Sequence, residues 1–336
     1  MRHETAILPD RGRYPDVITP WEGTDWRRAA LGWAEGELAA RGLRVTGPPR
    51  VRLRPWSVLA RLPVEGPGAV WFKANPPASA FEGALTAFLA RRVPGHVLAP
   101  LAVDPARGWL LLPDGGDLFR DVLDREPPGV RAWEELLRQY ARVQHAVAPH
   151  GREIEALGVP GARTAELPRL FDRLVESNTA LAPGERARLA ALRPRLADWC
   201  ARLAAVGVPD TLDHADLHEG QVFRPAPGRF VFFDWGDALV THPFCSLPVP
   251  AARAAERHGS EVLPRLRDAY LEVWTGAGHT AKELRRAVRP AWRLGVLGRA
   301  GAWGRLFPSA TVGTPDDAGA ADAARSLLRL FDEPPL

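Results

Sequence analysis

The spacing of apolar residues changes near Pro113, and this change constrains the fold more than any other feature of the sequence. Before Pro113, short runs show the alternation typical of β-strands, and turns rich in Gly and Pro separate them. One helical stretch, at 79–92, interrupts these runs. Residues 44–113 therefore predict the order β-β-β-α-β-β, a small and mostly antiparallel sheet with one packed helix. The strand-forming segments are 50–64, 69–75, 96–104 and 108–113.

After Pro113 the apolar residues follow the helical period instead. The only strands expected there form a short hairpin at about 221–233. A further helix, at about 24–42, precedes the sheet. The sequence thus predicts an α+β fold with two lobes, 1–113 and 114–336. The helices predicted in the second lobe lie at 131–147, 185–206, 251–274, 279–304 and 318–331.

Composition excludes several functional classes. The net charge is only +4 over 336 residues, and the arginines are spread along the chain, so a nucleic-acid-binding stripe is not predicted. The two cysteines, Cys200 and Cys245, form no CxxC pair, which leaves no zinc motif or disulfide framework and favours a reduced cytoplasm. No apolar run approaches the roughly 18 residues that span a membrane, and no signal-peptide core is evident.

Lysine is scarce in this chain. Of 44 Lys and Arg residues, only Lys73 and Lys282 are lysines. Lys73 lies in the middle of a predicted strand, where a charge needs a partner. Glu82 follows nine residues later in the next helix and can supply it. Such a strand lysine and helix glutamate can hold nucleotide phosphates; the alternative is an edge-strand lysine that faces solvent.

Two segments of the second lobe bring polar side chains together. The first, TLDHADLHEGQVF, contains Asp216 and Gln221, and the second, RFVFFDWGDA, places Asp234 after an apolar strand. Asp216 can accept a proton from an acceptor hydroxyl, whereas Gln221 and Asp234 offer the oxygen ligands that Mg²⁺ prefers. Asp216, Gln221 and Asp234 are residues of the types that phosphoryl transfer requires, because this reaction needs mainly positioning and charge neutralisation.

The same segment allows a different reading as a metal hydrolase. His214 and His218 are four residues apart, which on a helix would place both on one face, as in zinc proteases. The general-base glutamate of the H-E-x-x-H motif is absent, because Ala215 follows His214. The sequence therefore favours phosphoryl transfer over a metal-hydrolase function.

HADLHEGQV and FFDWGD resemble the H-x-D-L-H-x-x-N and I-D-W/F motifs of the aminoglycoside phosphotransferase-like family of small-molecule kinases. WFKA, the following helix and LLLPDGG are similar to that family's lysine strand, its glutamate helix and its interlobe connector. The resemblance keeps the order of the motifs and covers about residues 45–245. It implies a protein-kinase-like fold, with a small antiparallel N-terminal lobe that binds nucleotide and a larger helical lobe for catalysis and the acceptor.

The resemblance also implies an activity, the Mg²⁺-dependent transfer of the γ-phosphate of ATP or GTP to a hydroxyl of a small molecule such as an antibiotic or metabolite. By this likeness Asp216 is the catalytic base, and Asp234 binds Mg²⁺ together with Gln221. Lys73, paired with Glu82, holds the phosphates. The remaining nucleotide-binding candidates are Ser57 in the nucleotide loop and Leu112 and Asp114 at the connector.

Two departures from the family pattern motivate an alternative. Gln221 stands where the family usually has Asn, and the nucleotide loop RPWSVL contains no glycine. A catalytically silent nucleotide-binding pseudokinase would show both features. The chain from Asp237 onward is not acidic, which favours a neutral or amphipathic acceptor over a polycationic aminoglycoside. Neither nucleic acid nor a membrane is expected as a partner, and the sequence predicts no oligomeric state.

Several further residues have both a structural and a functional interpretation. Trp71, Trp109 and Trp235 could stack on a base or acceptor, but buried core tryptophans are more common. Asp114 could contact ribose, or it could cap the segment that follows the connector. His242 is expected to be a structural histidine.

Overall fold

The computed structural model describes residues 6–66, 68–125, 129–276, 278–303, 307, 311–312 and 315–336. A six-stranded sheet forms the first part, in the order β1-β2-β3-β4-β6-β5. All of its neighbours pair antiparallel except β1 and β2, which are parallel. The strands are β1 (Ala6–Pro9), β2 (Arg50–Arg54), β3 (Ser57–Val64), β4 (Gly68–Ala74), β5 (Ala102–Asp104) and β6 (Trp109–Pro113).

Two features of this sheet were not predicted. β1 was missed because it is short and leaves Ile7 and Leu8 exposed, so it shows no buried alternation. The strand predicted at 96–104 is confined to β5. Pro100 has no N–H to donate to a ladder, and Gly95 has a positive φ of 84°, so the chain before β5 turns instead of pairing.

Two helices accompany the sheet and belong to different cores. α1 (Thr24–Ala39) covers the sheet, where Trp33, Phe72 and Trp109 contact one another. α2 (Glu82–Arg92) instead contributes Leu85 and its apolar neighbours to the larger cluster of the helical part. α2 therefore joins the two parts of the molecule. The boundary at residue 113 stays a prediction.

The rest of the chain is mainly helical, as the sequence predicted. The stretch predicted as one helix at 251–274 is divided, because Gly259 (φ 86°) ends its first half and Pro264 follows. The helices are α3 (Phe119–Arg125), α4 (Val130–Val147), α5 (Gly151–Ala156), α6 (Leu167–Ser177), α7 (Pro183–Ala204), α8 (Pro248–His258), α9 (Leu263–Leu271), α10 (Ala281–Trp303) and α11 (Pro315–Leu328). No described helix is both long and apolar enough to cross a membrane.

Four short strands lie between α7 and α8. They are β7 (Thr211–Asp213), β8 (Val222–Ala226), β9 (Arg229–Phe232) and β10 (Leu239–Thr241). β8 and β9 form the predicted hairpin, and β7 pairs antiparallel with β10. The end of β7 and the end of β9 lie next to each other, because His214 Nε2 is 2.8 Å from the Phe233 carbonyl oxygen. The α+β fold class is therefore confirmed, with a sheet lobe followed by a helical lobe.

The N-terminal segment, residues 10–22, connects the sheet with the end of the chain. It continues from β1, and Ile18 exchanges backbone hydrogen bonds of 2.9 and 2.8 Å with Val312. The Tyr14 hydroxyl donates to buried Asp322 of α11 over 2.6 Å, and the Arg13 guanidinium lies 2.8 Å from the same carboxylate. The segment therefore crosses from one lobe to the other.

Candidate active site

The two polar segments predicted from sequence adopt an unusual backbone. Within the described residues, Ala215 (φ 62°) and Asp234 (φ 65°) are the non-glycine residues with positive φ. Such a conformation costs on the order of 1–3 kcal/mol and persists where the surrounding structure enforces it, often at functional sites. Ala215 lies in the turn after β7, and Asp234 lies just after β9.

Lys73 is the centre of a buried ion cluster. Its Nζ lies 2.6 Å from Glu82 Oε2 and is also bonded to Asp234 Oδ1. The Lys73 side chain is 8% exposed and the Glu82 side chain 1%. The alternative of a solvent-facing lysine is therefore wrong.

The Lys73 ammonium and the Asp234 carboxylate stabilise each other's charge. Burial alone would lower the pKa of Lys73, but the carboxylates of Asp234 and Glu82 outweigh burial and raise it. Burial would likewise raise the pKa of Asp234, but the Lys73 ammonium lowers it to about 2. Lys73 and Asp234 are thus both charged near neutral pH.

Local structure explains how the cluster forms. Lys73 lies in β4, between Leu59 of β3 and Leu110 of β6, so its backbone is fixed from both sides. Glu82 opens α2, and its Oε1 accepts a hydrogen bond of 3.1 Å from the Trp235 backbone N–H. Gly236 permits this approach, since an added Cβ would lie 3.2 Å from Glu82 Oε2.

Asp216 lies in the same cavity with partial access to solvent, at 22% side-chain exposure. Burial raises its pKa to about 6, although the Arg299 guanidinium opposes this shift. Arg299 Nη1 is 2.9 Å from Asp216 Oδ1, and His218 Nε2 is 3.8 Å from Asp216 Oδ2. Sequence reasoning missed Arg299, because it lies on α10, far from both motifs.

His214 connects the two motifs through buried contacts. Its ring is fully buried, lies 4.8 Å from the Trp235 ring and places Nε2 2.8 Å from the Phe233 carbonyl oxygen. Its backbone N–H donates to the Tyr140 hydroxyl over 2.9 Å. These contacts fix the loop after β7 against the end of β9.

Two acidic residues that sequence reasoning passed over also support this loop. Buried Asp213 accepts hydrogen bonds from Ser246 Oγ (2.6 Å) and the Ala215 backbone N–H (2.9 Å). Buried Glu219 lies 2.7 Å from the Arg253 guanidinium. Their positions inside the LDHADLHE motif were a usable signal, but the partners that explain their burial come from distant helices.

Gln221 and Asp234 both line the cavity. The Lys73 ammonium is the main group that lowers the pKa of Asp234, and the Gln221 side chain contributes to the same shift. An ionised carboxylate beside an amide oxygen fits a hard cation such as Mg²⁺. The described residues contain no group of three or more His, Cys, Asp and Glu side chains that could hold a metal.

The geometry does not support the metal-hydrolase reading. Residues 214–218 are not helical, so His214 and His218 do not share a helix face. His214 Nε2 contacts the Phe233 carbonyl, whereas His218 Nδ1 accepts a hydrogen bond from the Gly220 N–H over 2.9 Å.

The nucleotide-binding candidates do not all lie in this cavity. Ser57 lines it, next to the tight turn between β2 and β3 that stands in place of a Gly-rich loop. Leu112 and Asp114 lie at the end of β6 and do not line it. Asp114 accepts hydrogen bonds from Trp71 Nε1 (3.2 Å) and the Gly116 N–H (2.9 Å), which is a turn-forming arrangement.

The cavity has a volume of about 250 Å³. Its lining comes from the ion cluster, the two motifs, the turn between β2 and β3, the N-terminal segment and α10. The Trp303 ring lies between two guanidinium groups, 5.3 Å from Arg13 and 5.0 Å from Arg299. Trp109 and Trp235, in contrast, are buried core residues. Besides the ion-cluster and motif residues, the lining includes Arg13, Tyr14, Arg54, Trp56, Arg299, Ala302 and Trp303.

No family model matches this sequence, and no curated protein is significantly similar to it. Solved structures are similar in fold. A Plasmodium vivax ethanolamine kinase has a TM-score of 0.56 at 11% identity, over 91% of this chain and 89% of its own. A macrolide 2'-phosphotransferase from Brachybacterium faecium has a TM-score of 0.56 at 20% identity, over 88% of this chain and 98% of its own.

A GDP complex of an aminoglycoside 2'-phosphotransferase is also similar, with a TM-score of 0.56 at 13% identity over 90% of this chain and 97% of its own. At these identities the likeness concerns the fold. The chain therefore has the two-lobed, protein-kinase-like fold of small-molecule kinases, as its motifs predicted.

His242, just beyond the second motif, generates a prediction about stability. It is buried, its Nδ1 accepts a hydrogen bond of 3.2 Å from the Phe244 N–H, and burial lowers its pKa to about 3. The unfolded chain binds a proton at His242 below about pH 6.5, but the folded chain does not until near pH 3. Acidification from pH 7 to 4.5 should therefore remove roughly 2–3 kcal/mol of unfolding free energy through this residue.

His242→Asn keeps a side-chain acceptor but does not titrate. Urea unfolding of both proteins at pH 7 and 4.5 measures the difference. The variant should lose less unfolding free energy on acidification than the unsubstituted protein. Equal losses in the two proteins would contradict the assignment.

Proposed function

We propose that the protein is a small-molecule kinase that transfers the γ-phosphate of ATP or GTP to a hydroxyl group of a small acceptor. One observation carries this proposal: the Lys73 ion cluster and Asp216 converge on a single cavity. An ammonium for phosphates, a carboxylate for a cation and a carboxylate with a raised pKa are the groups that phosphoryl transfer requires.

Each group has a proposed role. Lys73, oriented by Glu82, binds the α- and β-phosphates. Asp234 and Gln221 would hold Mg²⁺, whose chemistry is to neutralise phosphate charge. In this structure Asp234 Oδ1 is bonded to Lys73, which leaves Oδ2 as the carboxylate oxygen for the cation.

Asp216 is proposed to act as the base. Its carboxylate takes the proton of the acceptor hydroxyl as the hydroxyl oxygen bonds to the γ-phosphorus. The bond from that phosphorus to the β,γ-bridging oxygen breaks, and the nucleoside diphosphate leaves with the electron pair. The raised pKa of Asp216, about 6, makes it a stronger proton acceptor than an ordinary aspartate while it remains ionised at pH 7.

The cavity wall suggests the class of acceptor. Arg13, Arg54 and Arg299 line the cavity, together with three aromatic rings. A polycationic aminoglycoside would meet these guanidinium groups. A neutral or amphipathic hydroxyl compound would instead pack on the rings of Tyr14, Trp56 and Trp303.

Replacing the proposed base tests its role. Asp216→Asn should lower the rate of transfer at least a hundredfold, because the amide cannot accept the proton, while the Kd for Mg²⁺-nucleotide changes little. The unsubstituted protein should lose activity about tenfold per pH unit below about pH 6, as Asp216 becomes protonated. Diphosphate release in an acceptor screen and nucleotide titration measure the two quantities. Loss of nucleotide binding in Asp216→Asn would contradict the assigned role.

Gln221 favours a second candidate function, a pseudokinase that binds nucleotide without transferring phosphate. Gln has a side chain one methylene longer than the Asn expected at this position, which displaces the amide oxygen at a site where Mg²⁺ demands strict geometry.

Gln221→Asn distinguishes the two functions. If the protein is a kinase, the variant should remain active and shift the Mg²⁺ concentration for half-maximal rate without creating activity anew. A silent parent that becomes active as Gln221→Asn would establish the pseudokinase reading instead. Diphosphate release over a Mg²⁺ series measures both outcomes.

A further inference from the structure

Arg299 forms an ion pair with one carboxylate oxygen of Asp216, the proposed base. Its Nη1 lies 2.9 Å from Asp216 Oδ1 and 3.1 Å from Asp237 Oδ2, so one guanidinium bridges two carboxylates. The Arg299 side chain is 30% exposed, and its guanidinium also rests 5.0 Å from the Trp303 ring. The three contacts together restrict the position of the guanidinium.

The packing of α10 positions Arg299 beside Asp216 and Asp237. An added Cβ on Gly295 would lie 2.6 Å from the Cys245 carbonyl oxygen, and one on Gly298 would lie 3.3 Å from Leu239. These two glycines let the helix approach β10 and the turn after it closely. Leu297 and Ala300, on either side of Gly298 and Arg299, are fully buried. The base of the Arg299 side chain is therefore held by a rigid element.

The contact leaves the two oxygens of Asp216 unequal. Oδ1 is ion-paired with Arg299 over 2.9 Å, whereas the titratable side chain that approaches Oδ2 is His218, whose Nε2 lies 3.8 Å away and beyond hydrogen-bond distance. Because His218 Nδ1 accepts the Gly220 N–H, a neutral His218 carries its proton on Nε2. Oδ2 is thus the oxygen available to a hydroxyl that enters the cavity.

We infer that Arg299 is a positioning residue for phosphoryl transfer, which holds Asp216 Oδ1 so that Oδ2 faces the acceptor hydroxyl. The inference rests on the proposed role of Asp216 as the base. It gives α10 a part in the chemistry, although no residue of α10 belongs to either motif.

Arg299 acts on Asp216 through its charge and through its position, and two different substitutions distinguish these effects. The charged and titratable groups around Asp216 are Arg299, His214, His218 and the carboxylates of Asp234 and Asp237. Arg299→Ala removes the nearby cation and the bridge together. Arg299→Lys keeps a cation, but a single ammonium on a flexible stem does not reproduce the bridge between two carboxylates.

Slow hydrolysis of Mg²⁺-ATP and of Mg²⁺-GTP provides the assay, since water replaces the unidentified acceptor and the proposed donor is one of these two triphosphates. Arg299→Ala should move the acid limb of the pH–rate profile upward by about one pH unit, because Asp216 loses a stabilising cation. Its plateau rate should fall about tenfold, because a misplaced general base loses much of its effect. The Kd for the Mg²⁺-nucleotide that is hydrolysed should stay within about twofold. Arg299→Lys should restore the position of the acid limb but not the plateau rate.

Arg286→Ala is the matched control, because Arg286 is an exposed arginine of the same helix. It should leave both features of the profile unchanged, and thermal unfolding of every variant verifies folding. If Arg299→Ala lowers only the unfolding midpoint and leaves the profile as it is, Arg299 is a structural tether and the inference is wrong.

The Asp216→Asn variant distinguishes a failure of the Arg299 inference from a failure of the proposed function. If hydrolysis in Asp216→Asn equals that of the unsubstituted protein, including the case in which both are undetectable, Asp216 is not the base and both proposals fall. If Asp216→Asn loses hydrolysis while Arg299→Ala keeps the normal rate and acid limb, the proposed function stands and only the role of Arg299 is refuted.

Discussion

The site depends on the burial of Lys73 between two carboxylates from distant parts of the chain. An isolated ammonium at 8% exposure would be strongly destabilising, so Lys73 is tolerated only because Glu82 and Asp234 approach it. That requirement links β4, α2 and the end of β9. It also explains why Asp234 is held at a positive φ, since the strained backbone aims its carboxylate at the ammonium.

A single cluster therefore unites the two lobes at the point where chemistry is proposed. α2 supplies Glu82 on its first turn and packs its apolar face into the core of the helical lobe. The N-terminal segment, which connects β1 to Asp322 of α11, also contributes Arg13 and Tyr14 to the cavity lining. Residues of both structural links between the lobes therefore line the cavity.

The sequence was informative wherever a local pattern determined the structure. The change of period at Pro113 predicted the sheet followed by helices, and the scarcity of lysine singled out Lys73. Short motifs located Asp216, Gln221 and Asp234. The sequence was silent where a partner comes from far along the chain: Arg299 and Ser246 have no local signature, and β1 exists only through its pairing with β2. Leu112 and Asp114 were chosen by analogy and lie outside the cavity.

Nucleotide-dependent stabilisation tests the central claim most directly, because it needs no knowledge of the acceptor. Thermal unfolding would be followed with ATP and with GTP, each with and without Mg²⁺, for the protein and for Asp234→Asn, which tolerates the positive φ. The account predicts a Mg²⁺-dependent stabilisation by one triphosphate, about 2.7 kcal/mol at a hundredfold excess over Kd, and its loss in the variant. A midpoint that responds to no nucleotide, or that rises equally in both proteins, would contradict it.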